Sequence, residues 1–111
     1  NLPVHYCLPN ASVQTVHAVL GTHVPQAPGA GYAYRLEGLD RISVAYFGDG
    51  AASEGDSLTA LNFAAVYKAQ TLFVCRNNGY SISTPTHDQY KGDGIAARGP
   101  AFGVASARVD G

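Results

Sequence analysis

Two short, nearly uninterrupted apolar runs constrain this chain most: RISVAYF at 41–47 and TLFVCR at 71–76. Both are rich in β-branched and aromatic residues and bounded by Gly, Asp or Asn, the pattern of strands buried on both faces. Between them, DSLTALNFAAVYKA (56–69) places apolar side chains at Leu58, Leu61, Ala65 and Tyr67, roughly the helical period. A strand, a helix and a second strand in succession predict an α/β fold, with a parallel sheet and helices on both of its faces. Ligands of such sheets bind beyond the carboxyl ends of the strands.

The remaining segments fit that frame. Residues 1–23 read as irregular, with turn signals at Pro3 and at Pro9-Asn10, and SVQTVHAVL (12–20) as a short strand. A helix follows, with Pro25 and Pro28 in its first turn, Thr22 as its cap and Gly38 as its stop. The small residues Gly29, Ala30, Gly31 and Ala33 leave one face of it nearly bare, so something packs closely there. Ser53 and Asp56 form a weak capping-box pattern. Residues 77–94 read as a long loop, IAARGPAFG (95–103) as a short helix broken at Gly99-Pro100, and SARVDG (106–111) as a third strand.

Composition limits the function classes. The chain has 111 residues, 46% hydrophobic and only 14% charged, enough for one modest domain whose strands are buried or whose surface is covered by a partner. A net charge of −1 gives no basic field for nucleic acid, and no apolar run reaches the length of a membrane span. Cys7 and Cys75 stand in no CxxC pattern and read as reduced, partly buried thiols. NLPVHYCLPN carries no targeting pattern, and both ends read as cut, so the chain is expected to be a fragment.

The chemistry gathers at two loops. GDG (48–50) follows the first strand and NN (77–78) follows the next, with the twenty-six residues 51–76 between them. One loop, one helix and one strand fill that interval, so the two loops are expected to be neighbours in space. The Asp49 carboxylate and the Asn78 carbonyl are hard oxygen ligands suited to Mg²⁺ or Ca²⁺. Gly50 and Ala51 leave backbone N–H groups uncovered at a helix start, a natural diphosphate site, and Arg76 lies beside it. There is no GK[ST] for a P-loop, and Ala51 occupies a position where an EF-hand needs an oxygen. GDGIAA (92–97) fits GxGxxA but follows a loop rather than a strand, the weaker reading for a nucleotide site.

GDG, twenty-six residues and NN together resemble the thiamine diphosphate motif. PVHY, VPQA, GDGAASEGD, NFAA, CRNNGYSISTPT, QYKGDGIAARG and RVDG extend the resemblance over essentially the whole chain. They resemble the alpha subunit of the decarboxylating component of branched-chain 2-oxo acid dehydrogenase complexes, with ISTPT and GDGIAARGP favouring this branch over the pyruvate branch. The resemblance implies a thiamine diphosphate-binding fold, of which residues 1–111 form part of one domain truncated at both ends. It implies Mg²⁺ held by Asp49, Asn78 and the backbone carbonyl of Tyr80. It implies a diphosphate held at Gly50, Ala51 and Arg76, and a backbone carbonyl near Leu20 at the aminopyrimidine end.

The activity implied is oxidative decarboxylation of branched-chain 2-oxo acids, with transfer of the acyl group to a lipoyl group. The implied partners are a beta subunit, in a heterotetramer, and a lipoyl-bearing acyltransferase; the implied location is the mitochondrial matrix in a eukaryote, otherwise the cytoplasm. The family's Tyr-Arg cofactor contacts, its active-site histidine and its regulatory serine fall outside this span, and the glutamate that activates the cofactor lies on the beta subunit. This chain therefore carries no catalytic residue of its own and only the Mg-diphosphate half of a shared site.

One stretch departs from the pattern. Where the family carries SSP and TQ ahead of PQ, HAVLGTH (17–23) keeps only Thr22, which weakens the expectation of a K⁺ site and of one serine contact to the cofactor. Two other readings stay open: a pyruvate or acetoin dehydrogenase alpha subunit, and a non-catalytic subunit that binds its partner without cofactor. Taken singly, Asp49 would be a turn residue and Asn77-Asn78-Gly79 an ordinary turn. His5, His17, His23 and His87 have no metal-ligand spacing and read as structural or solvated. Glu54 and Asp56 read as helix-dipole or capping groups. The bare face from Ala27 to Ala33 is either core or, by resemblance, a subunit contact.

Overall fold

A computed structural model describes residues 8–14 and 17–111; His5 and Cys7 lie outside them. The two apolar runs form strands β1 (Ser43–Gly48) and β2 (Thr71–Arg76). They pair in parallel, Ser43 opposite Thr71 and Gly48 opposite Arg76. Two helices precede and join them, α1 (Gln26–Leu36) and α2 (Gly55–Tyr67). Then come a small antiparallel hairpin, β3 (Tyr80–Ser81) with β4 (Thr84–Pro85), and two single-turn helices, α3 (Thr86–Gln89) and α4 (Arg98–Ala101).

Strand periodicity puts Ser43, Ala45 and Phe47 on one face of the sheet with Thr71, Phe73 and Cys75. Helix α1 lies against this face so closely that a single carbonyl, that of Ala27, accepts hydrogen bonds from both Ser43 Oγ and Thr71 Oγ1. Gly31 makes the approach feasible: a Cβ there would meet the Gln70 carbonyl oxygen at 2.5 Å and press on the Thr71 hydroxyl. The inner strip Ala27, Pro28 and Gly31 is therefore core, while Gly29 faces open space.

Helix α2 buries Ser57, Ala60 and Ala64, a strip of small residues, rather than centring on the Leu58 and Leu61 of the sequence expectation. The small side chains let the helix sit tight on its neighbours, and the leucines fall to half-buried flanks. Aromatic rings join the two helices, with Tyr32 at 6.4 Å from Phe63 and 5.0 Å from Tyr67 between centroids, in tilted and edge-on packing. Lys68 closes α2 in a left-handed conformation. On the opposite face of the sheet Val44, Tyr46 and Leu72 are exposed; the described residues put no helix there.

Several local expectations are corrected. The 12–20 stretch forms no strand among the described residues: Leu8 and Val13 bond each other across a tight turn, and residues 18–25 wind through turns that bury Val24. Thr22 does not cap α1; its hydroxyl donates to the Val19 carbonyl at 3.0 Å, and Pro25 stands at the cap position. Ser53 and Asp56 form no capping box, since Glu54 is the N-cap of α2 and no side chain bonds the helix end. Gly99-Pro100 lies within α4 instead of breaking it, because proline is tolerated in a first turn. Residues 106–111 form no strand and pair with none among the described residues. Ser106 Oγ bonds the Ala96 carbonyl at 2.8 Å and Arg108 bonds the Asp93 carbonyl at 2.6 Å, so side chains hold this segment where a ladder was expected. No helix among the described residues is long and apolar enough to cross a membrane.

The contrast between two glycines of α1 is testable. Gly31→Ala should destabilise the complete chain by about 1–3 kcal/mol through overpacking. Gly29→Ala should be neutral or stabilising by up to about 1 kcal/mol. Urea unfolding of both variants measures the difference, and equal effects would contradict the close helix–sheet approach.

Candidate functional site

Because Gly48 is level with Arg76, the loops that leave β1 and β2 start side by side. The first residue out of β1 is Asp49, only 2% exposed. Its Oδ2 accepts a hydrogen bond from Gln89 Nε2 at 2.8 Å, and among the described residues its Oδ1 accepts none. Gly50 then opens a 3₁₀ turn, Ala51–Ser53, and α2 starts only at Gly55. The expected helix start at Gly50 and Ala51 is thus a 3₁₀ turn, whose first amides have no intrahelical acceptor. Buried Ser57 anchors the turn by donating to the Ala51 carbonyl at 2.7 Å, and Arg98 donates to the Ala52 carbonyl.

The second loop is built by its asparagines. Asn77 Oδ1 accepts from Gly79 N at 2.9 Å and Asn78 Oδ1 accepts from Tyr80 N at 3.0 Å, two successive side-chain turns that fold the chain back into β3. Gly79, at φ +88°, permits the reversal. The hairpin brings Ser81 onto Gly50, where an added Cβ would lie 3.0 Å from Ser81 Cβ and overlap its hydroxyl. The GDG loop thus meets the hairpin that NNGY leads into, and the two loops are neighbours, as their spacing predicts.

The other expected site residues fall around them. Arg76 ends β2, exposed and with no side-chain hydrogen bond or ion pair among the described residues. Tyr80 is exposed at the start of the hairpin. Leu20, also exposed, sits in a turn docked on the same end of the sheet. That turn is fixed by His23 Nε2 at 2.7 Å from the Tyr46 carbonyl and by Gly21 packed on the Glu54 side chain. Leu20 makes no hydrogen bond to the two loops. His23 bonds the backbone, consistent with a structural role, and His87 is exposed, with its ring 3.7 Å from Asp88.

Sequence reading missed three contributors. Gln89 reaches both Asp49 and the Thr84 carbonyl. Arg98 lies over the Tyr90 ring at 5.1 Å while bonding Ala52. Ser81 fills the space that Gly50 leaves. Only QYKGDGIAARG, read for its glycines, held a trace of the first two.

The donors fit a small hard cation: a buried carboxylate with one oxygen unengaged, an amide oxygen with a lone pair to spare, and nearby backbone carbonyls. Among the described residues the buried Asp49 carboxylate has no cationic hydrogen-bond partner, an arrangement that a bound cation would relieve. Its field is felt nearby. The Cys75 thiol, half-buried and free, is pushed up to about 11, first by burial and then by the Asp49 carboxylate, with Arg98 acting in the opposite sense.

Comparison with known proteins finds relatives along the whole chain. The family model for the dehydrogenase E1 component matches residues 1–111. The chain is 54% identical over 110 residues to 2-oxoisovalerate dehydrogenase subunit alpha, mitochondrial, of Mus musculus, covering 99% of this chain and 25% of that protein. It is 53% identical to the Homo sapiens protein of that name, and 50% identical to subunit alpha 2 of Arabidopsis thaliana, of which it covers 23%. It thus spans about a quarter of the length of these relatives. Among solved structures, a Mycobacterium smegmatis enzyme described as thiamin diphosphate-dependent matches at a TM-score of 0.58 and 35% identity, over 76% of this chain and 16% of that one. The fold is thus of the α/β class that this enzyme shares. Within that class, the chain belongs to the dehydrogenase E1 component family.

The thiol offers a check on the site's electrostatics. Since burial and Asp49 penalise the thiolate, alkylation of Cys75 should rise with a midpoint near about 11 in the folded chain. The unfolded chain should show a midpoint of about 8.5. Between those values the folded form keeps a proton that the unfolded form has lost, so stability falls as pH rises through that window. Peptide-resolved iodoacetamide labelling reads both midpoints; coincident ones would contradict the assignment.

Proposed function

We propose that this chain is the Mg-diphosphate-binding part of a 2-oxo acid dehydrogenase alpha subunit. The reaction proposed is oxidative decarboxylation of branched-chain 2-oxo acids, with acyl transfer to a lipoyl group of an acyltransferase. The observation that carries the reading is the register that delivers buried Asp49 and the Asn77–Tyr80 turn to one end of the sheet, with Gly50 packed on Ser81. The similarity to 2-oxoisovalerate dehydrogenase alpha subunits supports the substrate class. Their mitochondrial naming supports a mitochondrial location in a eukaryote; a place in the matrix there, and in the cytoplasm otherwise, belongs to the proposal.

In this reading Asp49, Asn78 and the Tyr80 carbonyl hold Mg²⁺, and the amides of Gly50 and Ala51 with the Arg76 guanidinium hold the diphosphate. The turn carrying Leu20 borders the aminopyrimidine end. When bound, thiamine diphosphate supplies the carbanion-stabilising centre at which a 2-oxo acid loses CO₂. The residues of this chain do the holding: they neutralise and orient the anionic end so that the reactive end reaches a site completed by the beta subunit. Residues 1–111 are one part of a single domain, and the groups that move protons lie elsewhere in the assembly. Of the family's SSP and TQ, HAVLGTH keeps only Thr22, so K⁺ is not part of the proposal.

Calorimetric titration of thiamine diphosphate into the complete alpha chain with its beta partner, with and without Mg²⁺, tests the reading. Binding should be much tighter with Mg²⁺ than without it. Arg76→Ala should weaken it by about 1.5–3 kcal/mol, roughly ten- to hundredfold. Asp49→Ala should weaken it strongly in Mg²⁺ and far less in EDTA. Turnover of branched-chain 2-oxo acids should exceed that of pyruvate. An assembled complex that binds no cofactor would instead mark a structural subunit.

A further inference from the structure

Gln89, at the end of α3, lies between two acceptors. Its Nε2 donates to Asp49 Oδ2 at 2.8 Å and to the Thr84 carbonyl at 2.9 Å, which uses both hydrogens of the amide. The reverse orientation would set an oxygen against a carboxylate and a carbonyl, so chemistry fixes which end is nitrogen. The consequence is that Gln89 Oε1 is buried with no donor among the described residues. A bare buried acceptor is destabilising, so the bond to Asp49 is kept against a local penalty. The same helix is tied to the second loop, since Thr86 N donates to the Gly79 carbonyl at 2.9 Å. Gln89 thereby holds Asp49 in a fixed relation to the loop that carries Asn78.

The effect on the carboxylate is specific: Oδ2 is engaged, and Oδ1 accepts no hydrogen bond among the described residues. A carboxylate held this way presents one oxygen. Mg²⁺ demands a small, near-octahedral shell, whereas Ca²⁺ accepts a chelating carboxylate in a larger and looser one. We infer that Gln89 is a positioning residue that confines Asp49 to single-oxygen ligation and so selects Mg²⁺ over Ca²⁺. The inference rests on the proposed role of Asp49 as a metal ligand.

The test uses the complete alpha chain assembled with its beta partner, with thiamine diphosphate present, titrated with Mg²⁺ and with Ca²⁺. Gln89→Leu keeps the bulk and removes the donor. Its Mg²⁺ affinity should fall about ten- to hundredfold, the usual effect of losing a hydrogen bond to a metal ligand. Ca²⁺ affinity should change less than about threefold, so the preference for Mg²⁺ collapses. Equal losses for both ions, or no loss, would overturn the inference, because general loosening does not favour one ion. Asp49→Ala separates the two readings. If it leaves Mg²⁺ binding intact, the metal reading fails and the inference with it. If it removes Mg²⁺ binding while Gln89→Leu leaves the ion preference unchanged, only the inference fails. Should Gln89→Leu not assemble, infrared difference spectra of the unaltered complex decide. A monodentate carboxylate signature on adding Mg²⁺ supports the inference, and a bidentate one overturns it.

Discussion

The parallel pairing of β1 and β2 is the constraint on which everything else in this chain depends. It sets Gly48 level with Arg76, so two loops of different length and sequence begin at one height. Hydrogen bonds between strands, unlike side-chain contacts, cannot shift by half a step: a one-residue slip would turn every side chain to the other face. Asp49 would then leave the sheet at a level that no longer matches the Asn77–Tyr80 turn. The precision of the site is thus inherited from the ladder.

That ladder is in turn held by close packing of small residues rather than by a thick apolar core. Ala27, Pro28 and Gly31 of α1 and Ser57, Ala60 and Ala64 of α2 are the buried positions of the two helices. Polar groups finish the contact, with one helix carbonyl serving both strands and Gln70 bonding the carbonyls of Leu39 and Arg41. Larger apolar groups are displaced outward, to the aromatic trio between the helices and to the open face with Val44, Tyr46 and Leu72. This explains how so apolar a composition coexists with so few large buried side chains.

The sequence made the strands legible because their runs were short, β-branched and punctuated, and the helix between them because its length exceeded any strand. The contact of the two loops was legible from spacing alone, since one crossover fills the interval. What stayed hidden was structure stabilised by a single distant partner. The segment 106–111 has strand composition but pairs with no strand among the described residues, and Arg108 and Ser106 bond a loop instead. The hairpin at 80–85 turns through Ile82 at φ +54°, a conformation that no pattern of β-branched residues would suggest. Gln89 is an unremarked polar residue in the sequence, and only the fold brings it forty positions back to Asp49.

The contact between Gly50 and Ser81 has a genetic reading. The space at that point fits one small side chain, which Ser81 already occupies. A change that enlarges residue 50 is tolerable only if residue 81 shrinks, and further growth at 81 has no glycine left to yield. The two positions, thirty-one residues apart, therefore form a single unit of inheritance. Variation in the first loop is filtered by the second, and a residue exchanged from a relative at one of them carries its effect only in the company of the other.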